Sequence, residues 1–261
     1  MGGGIMDRTR PYHVNGEKVH LVVMNATDGL PAAFALMGTR ARKKVALRFL
    51  GGCKGMGPDD KRAMLSFFSK ALRGFEGLAW SGGTRQVANG EVDPMVTDVP
   101  GLIASENPGC VALGTCPRTS MLSLQEDSRL VLDEYGTVPN PDMLGILIVQ
   151  NGPDGKAEWD LDVPTYFTMM EHWRTYAGFE ALGTIAWNGG PITKDEIMHS
   201  ARRGWPTVLV EGTGRAADEV IAQIESGHAD VAKFIPQFHV ISKNDPVSLR
   251  NLLVASAFIE G

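Results

Sequence analysis

The chain has 261 residues, 43% hydrophobic and 21% charged, the balance of a globular protein with a substantial core. Its net charge of −5 argues against general nucleic-acid binding, which calls for a basic surplus. Cys53, Cys110 and Cys116 make no disulfide framework, no run of 18 apolar residues offers a membrane span, and Met1-Gly2-Gly3-Gly4 lacks the order of a signal peptide, so a cytoplasmic setting is expected.

In chain order, residues 1–18 read as a tail and Val19–Val23 as a first strand. Val45–Leu50 is a second strand, ended by Gly51-Gly52. Pro58-Asp59-Asp60 then opens a helix whose Met64, Phe67, Phe68 and Ala71 recur with helical period. Gly77–Trp80 is a strand ending at Ser81-Gly82-Gly83. Residues 89–108 carry Pro94, Pro100 and Pro108 and read as a loop or lid. Cys110–Leu113 is a strand, residues 114–143 an irregular insertion, and Leu144–Gln150 a continuous apolar strand.

Asp160 and Asp162 cap a helix over Val163–Gly178, with Tyr166, Met169, Met170 and Trp173 on one face. Leu182–Trp187 is a strand ending at Asn188-Gly189-Gly190. Thr193 and Glu196 form the capping box of a helix that Gly204 stops near Arg203. Thr207–Glu211 is a strand, and the helix after it buries Ala217, Val220, Ile221 and Ile224. Phe238–Ile241 is the last strand, and Asp245-Pro246 opens a final helix with Leu249, Leu252 and Leu253 inward.

Apolar strands alternating with helices predict an α/β fold: a Rossmann-like, doubly wound, mostly parallel sheet with helices on both faces, forming one domain over residues 19–261. Such sheets bind ligands outside the carboxyl ends of their strands, where the glycine pairs of this chain fall.

The most telling of those ends is Val208–Glu219. A β-branched run stops at Glu211; Gly212, Thr213, Gly214 and Arg215 follow, and a helix begins. Such a turn gathers free backbone N–H groups, a helix dipole and a cation at one spot, which suits a phosphate. A cation in the first helical turn opposes the dipole, so Arg215 points either to a bound anion or to an ion pair with Asp218. Glycines here can equally serve the tight connection alone.

Gly51-Gly52-Cys53-Lys54-Gly55-Met56-Gly57 offers glycines and a lysine between strand and helix, yet matches no named phosphate loop. Ser81-Gly82-Gly83-Thr84-Arg85 could hold phosphate or ribose, or only cap the following helix. Ala79–Gly83 and Ala186–Gly190 share the order Ala-Trp-polar-Gly-Gly, as if both lined one crevice. Cys110 and Cys116 lack zinc spacing and no H-x-x-x-H pair exists, so neither metal nor resident cofactor is expected. Arg40, Arg42, Lys43 and Lys44 read as a solvated strand entrance.

With Trp80–Thr84, the Val208–Ala222 segment resembles the SLOG superfamily, in particular the SLOG-type domain at the amino terminus of TRPM cation channels and its free-standing prokaryotic relatives. The resemblance runs roughly from Val45 to Ile259. It implies binding or sensing of a nucleotide-derived ligand of the ADP-ribose or NAD kind. Gly51, Gly52, Ser81, Gly82, Gly83, Thr84, Arg85, Asn188, Gly189, Gly190, Gly212, Thr213 and Gly214 would then line the crevice. Lys54 and Arg215 would neutralise phosphate, and Glu211 would take the ribose diol.

The related LOG branch hydrolyses an N-glycosidic bond with a Pro-Gly-Gly-x-Gly-Thr-x-x-Glu motif. Set on Val210–Asp218, that motif keeps Gly212 and Gly214, while Glu211 stands for a glycine, Arg215 for the threonine and Asp218 for the catalytic glutamate. The rival expectation is therefore a nucleotide N-glycosidase using Glu211 or Asp218. A third is an assembly scaffold with a vestigial crevice. Expected partners are a nucleotide or nucleotide sugar and a second copy of the chain or a separate effector, without membrane or nucleic acid.

Overall fold

A computed structural model describes residues 10–14, 17–25, 41–88, 91–117, 137–150 and 163–261. The strands are β1 (Arg10–Val14), β2 (Glu17–Asn25), β3 (Val45–Gly52), β4 (Leu78–Gly82), β5 (Thr84–Ala88), β6 (Glu91–Asp93), β7 (Val111–Pro117), β8 (Thr137–Pro139), β9 (Gly145–Gln150), β10 (Ala181–Asn188), β11 (Thr207–Glu211) and β12 (Phe238–Ser242). The helices are α1 (Pro58–Ala71), α2 (Val99–Glu106), α3 (Val163–Tyr176), α4 (Pro191–Arg202), α5 (Arg215–Glu225), α6 (Ala229–Ala232) and α7 (Pro246–Ala255).

Nine strands form one sheet in the order β1-β2-β9-β7-β4-β3-β10-β11-β12, and every neighbouring pair is parallel except β1 with β2. This is the Rossmann-like α/β architecture expected from the apolar strands. Side chains of β3 alternate between two cores. Val45, Leu47 and Phe49 pack with α1, α2 and α7 residues such as Phe68, Ile103 and Leu253. Ala46 and Leu50 face the other side, against α3, or α4 and α5. From β3 the chain steps outward through β4, β7 and β9, then returns to the opposite flank with β10. The order therefore reverses between β3 and β10, where helices diverge and a crevice opens.

Four segments differ from the expectation. Arg10–Val14 is an antiparallel edge strand rather than tail; an edge needs a partner on one side only and so tolerates Pro11. Residues 89–108 are not a loop throughout: β6, a 3₁₀ turn at Val96–Asp98 and α2 lie there, and Pro100 sits in the first turn of α2, where its missing N–H costs nothing. The supposed insertion contributes β7 residues, β8 and the turn over residues 140–143, while residues 118–136, like Arg40, Asp160 and Asp162, lie outside the described ones. Finally, α4 starts at Pro191 with no side-chain cap, so Thr193 and Glu196 make no capping box; both lie within the helix and are buried.

β3 and β10 pair over eight positions, ending with Gly51 opposite Trp187 and Gly52 opposite Asn188. Gly51 has φ +145°, and a Cβ there would lie 2.0 Å from the Trp187 carbonyl oxygen. Gly51→Ala should therefore cost about 3 kcal/mol or more of unfolding free energy, measured by urea denaturation against wild type. A neutral result would mean the two strand ends part easily.

Candidate functional site

Two neighbouring cavities occupy the carboxyl ends of the central strands. One, a cleft of about 460 Å³, is bounded by Gly51 and Gly52 of β3, Gly82, Thr84 of β5 and the start of α4 from Gly190. The other, of about 530 Å³, is bounded by Lys54, Asn188, the Gly212–Arg215 turn, Asp218 and Lys243. The single crevice expected from the sequence is thus divided, with the ends of β3 and β10 between its parts.

The turn after β11 is built from left-handed backbone: Gly212 has φ 77°, Gly214 φ 91° and Arg215 φ 51°. Asp218 closes it, its two carboxylate oxygens accepting from the Gly212 N–H at 2.8 Å and the Gly214 N–H at 2.7 Å. Those amides, expected to hold phosphate, are therefore engaged by the chain's own carboxylate, and Asp218 is no ion-pair partner for Arg215. The Thr213 hydroxyl donates to the Val210 carbonyl at 2.7 Å and accepts from the Asn188 N–H at 2.9 Å, tying the two strand ends together.

Arg215 is exposed and makes no ion pair among the described residues. Its Nη2 stands 2.9 Å from where a Cβ on Gly190 would be, so the guanidinium sits at the boundary of the two cavities. Lys54 and Lys243 line the same cavity, again without an ion pair among the described residues. Asp60 also lines it and caps α1, accepting from the Gly57 N–H at 3.3 Å. Three cations thus converge on one cavity whose two carboxylates already hold backbone amides. Lys243 escaped the sequence reading because no glycine turn marks the end of β12. Glu211 is exposed and lines neither cavity.

The floor of the cleft is charged. Arg48 projects from β3 to the α3–α4 side, places Nη2 3.2 Å from Glu196 Oε1, and lays its guanidinium 3.7 Å over the Tyr166 ring. The Tyr166 hydroxyl donates to the same Glu196 oxygen. Burial pushes the Glu196 carboxyl up from its ordinary range, while Arg48 and Tyr166 pull it back. Arg48 carried one sequence signal, a charge inside an otherwise apolar strand. Cys53 follows Gly52, but burial raises its thiol to about 11, so it is no nucleophile near neutral pH.

Residues 125–249 match the family described as SLOG in TRPM, prokaryote. The SLOG match takes in α4 and the Glu211–Asp218 turn and leaves out β3 and β4. It supports a nucleotide-related role, either binding or hydrolysis. A solved structure titled as the X-ray structure of TM1055 aligns at 17% identity and a TM-score of 0.45, over 80% of this chain and 99% of that one. No curated protein matches the chain. No helix among the described residues is long and apolar enough to cross a membrane.

Within the SLOG segment a second register of the LOG motif emerges. Asn188–Glu196 keeps Gly189, Gly190, Thr193 and Glu196, with Asn188 for the proline and Ile192 for the third glycine. Val210–Asp218 keeps only Gly212 and Gly214. The Asn188 register also leads into the cleft, which Gly190, Thr193 and Glu196 all line. The capping-box reading hid this spacing.

Other residues expected at the crevice make contacts within the chain, and the segment after Gly83 is the strand β5 rather than a helix to be capped. Ser81 donates to the carbonyls of Gly82 at 3.0 Å and Thr97 at 3.3 Å. The Gly83 N–H donates to the Thr115 carbonyl at 3.1 Å, and a Cβ on Gly189 would overlap the Thr193 side chain. Arg85 donates to Asp98 Oδ1 at 2.7 Å and also to Asp142, fastening the small β6-β5-β8 sheet that carries Thr84 and Gln86 to the cleft. Asp218→Ala should lose about 1–2 kcal/mol of stability by stripping the turn's cap, seen as a lower denaturation midpoint. Asp218→Asn, which keeps one acceptor, should lose less; equal losses would contradict the two-amide clamp.

Proposed function

We propose that the chain binds a nucleotide-derived ligand of the ADP-ribose or NAD type, with phosphate in the cationic cavity and nucleoside in the adjoining cleft. The observation that carries this reading is the convergence of Lys54, Arg215 and Lys243, none ion-paired among the described residues, on one cavity at the strand ends. Lone cations stay solvated at little cost, but three around one concavity focus a field that suits a phosphate or diphosphate. Gly51, Gly52 and Gly190 let a ribose approach the backbone closely. Asn188 and Thr213 set the turn between the two cavities. Such a protein acts as a sensor that reports through a second copy or a separate effector.

Calorimetry with ADP-ribose, NAD and AMP should show binding that weakens with rising salt. Arg215→Ala and Lys243→Ala should each weaken it about tenfold, the scale of one charge-assisted hydrogen bond. Absence of heat with all three ligands, or full affinity in both variants, sinks the reading.

The Gly189–Glu196 spacing favours a second reading, cleavage of the N-glycosidic bond with Glu196 as the carboxylate facing the oxocarbenium-like centre. Arg48 and Tyr166 already engage that carboxylate, which weakens it for this task. Chromatography of AMP or NAD incubated with the protein decides between the two. Free base that disappears in Glu196→Gln while binding persists establishes cleavage, and no free base from wild type leaves binding alone.

A further inference from the structure

The cleft floor makes a demand on its occupant that the cationic cavity does not. Glu196 has a side chain only 9% exposed, and both of its hydrogen bonds, from Arg48 and Tyr166, arrive at Oε1. Oε2 receives none among the described residues, and Glu196 lines the cleft. Oε2 is therefore the oxygen open to the cleft, and an occupant that displaces water from it without supplying a donor leaves a carboxylate oxygen unsatisfied, so an occupant that supplies one is favoured. Apolar residues such as Leu50 and Val163 share the walls with threonines and Gln86, and Glu196 is the one carboxylate among the described lining residues.

Position says which part of a ligand reaches it. α4 rises about 1.5 Å per residue, which sets Glu196 about 9 Å along the helix from Gly190. The Arg215 guanidinium stands at Gly190. A nucleotide with phosphate at Arg215 and ribose beside Gly190 and Gly51 therefore brings its base, not its sugar, to Glu196. Resting on the nucleotide reading above, we propose that Glu196 Oε2 accepts a hydrogen bond from an exocyclic amino group of the nucleobase, so the cleft selects amino-bearing bases. Arg48 pairs with Glu196 through Oε1, which leaves Oε2 to the cleft, and Gln86 borders the same space.

The test compares AMP with purine riboside 5′-monophosphate, which lacks only the amino group, and with 2′-deoxy-AMP, each titrated calorimetrically into the full chain. AMP should bind about tenfold or more tighter than the purine riboside nucleotide, and removal of the 2′-hydroxyl should matter less. In an Arg48→Met/Glu196→Leu double variant, which removes the buried pair together, the AMP preference should fall toward one. Equal affinity for AMP and the purine riboside nucleotide in wild type overturns the proposal and leaves the binding reading standing. A larger loss with 2′-deoxy-AMP assigns Glu196 to the ribose and overturns it likewise. If none of these nucleotides and no inorganic pyrophosphate binds, both readings fall together.

Discussion

The close approach of β3 and β10 is the constraint on which the site rests. These are the two strands where the winding reverses, and they stay paired to their last residues, Gly51 against Trp187 and Gly52 against Asn188. A side chain at Gly51 would collide with the Trp187 carbonyl and prise the ends apart. Because they stay together, the cleft and the cationic cavity remain separate rooms with one shared edge. Thr213 reinforces that edge by bridging the β10 and β11 ends. Two rooms of different character are a consequence of strand pairing, not of loop composition.

Charge is then distributed by burial. Arg48 and Glu196 are taken out of water together, an arrangement that adds little to stability because desolvation offsets attraction. A well-packed apolar pair could fill that space at least as well, so stability does not explain the pair. Lys54, Arg215 and Lys243 stay accessible instead, where being unpaired costs little. Arg215 even accepts a left-handed backbone, an unfavourable conformation for a residue with a side chain, at the first position of its helix. Strain of that kind persists where surrounding contacts hold it, here the Asp218 clamp on Gly212 and Gly214.

Much of this architecture was legible in the sequence. The strands from Val45 onward, their glycine ends and the helix phases of Phe67–Phe68 and Tyr166–Trp173 follow from period and composition. What escaped was hidden by residues with two meanings. Pro100 reads as a loop signal but sits in the first turn of α2. Thr193 and Glu196 fit a capping box so well that their place in a cleft went unseen, because Pro191 starts the helix earlier than a cap at Thr193 allows. Arg48 depends on a partner 148 residues away, which no local pattern reports. Asp218 reads as a catalytic carboxylate or an ion-pair partner, yet its neighbours in space are the Gly212 and Gly214 amides rather than the nearby guanidinium.

Ile192 is the reason the proposed nucleotide reading assigns recognition and phosphate holding to different rooms. Where the LOG motif has its third glycine, this chain puts a branched side chain at the mouth of the cleft, 37% exposed. A glycine there lets a phosphate approach the amides that begin the helix; an isoleucine covers them with apolar surface. On the proposed nucleotide reading the phosphate belongs on the far side of Gly190, where Arg215 stands and Lys54 and Lys243 complete the charge. With the phosphate goes the sugar, which on that reading sets the base, rather than the glycosidic bond, over Glu196. The side chain at Ile192, at the position of a glycine in that motif, is thus the feature on which the binding and cleavage readings part.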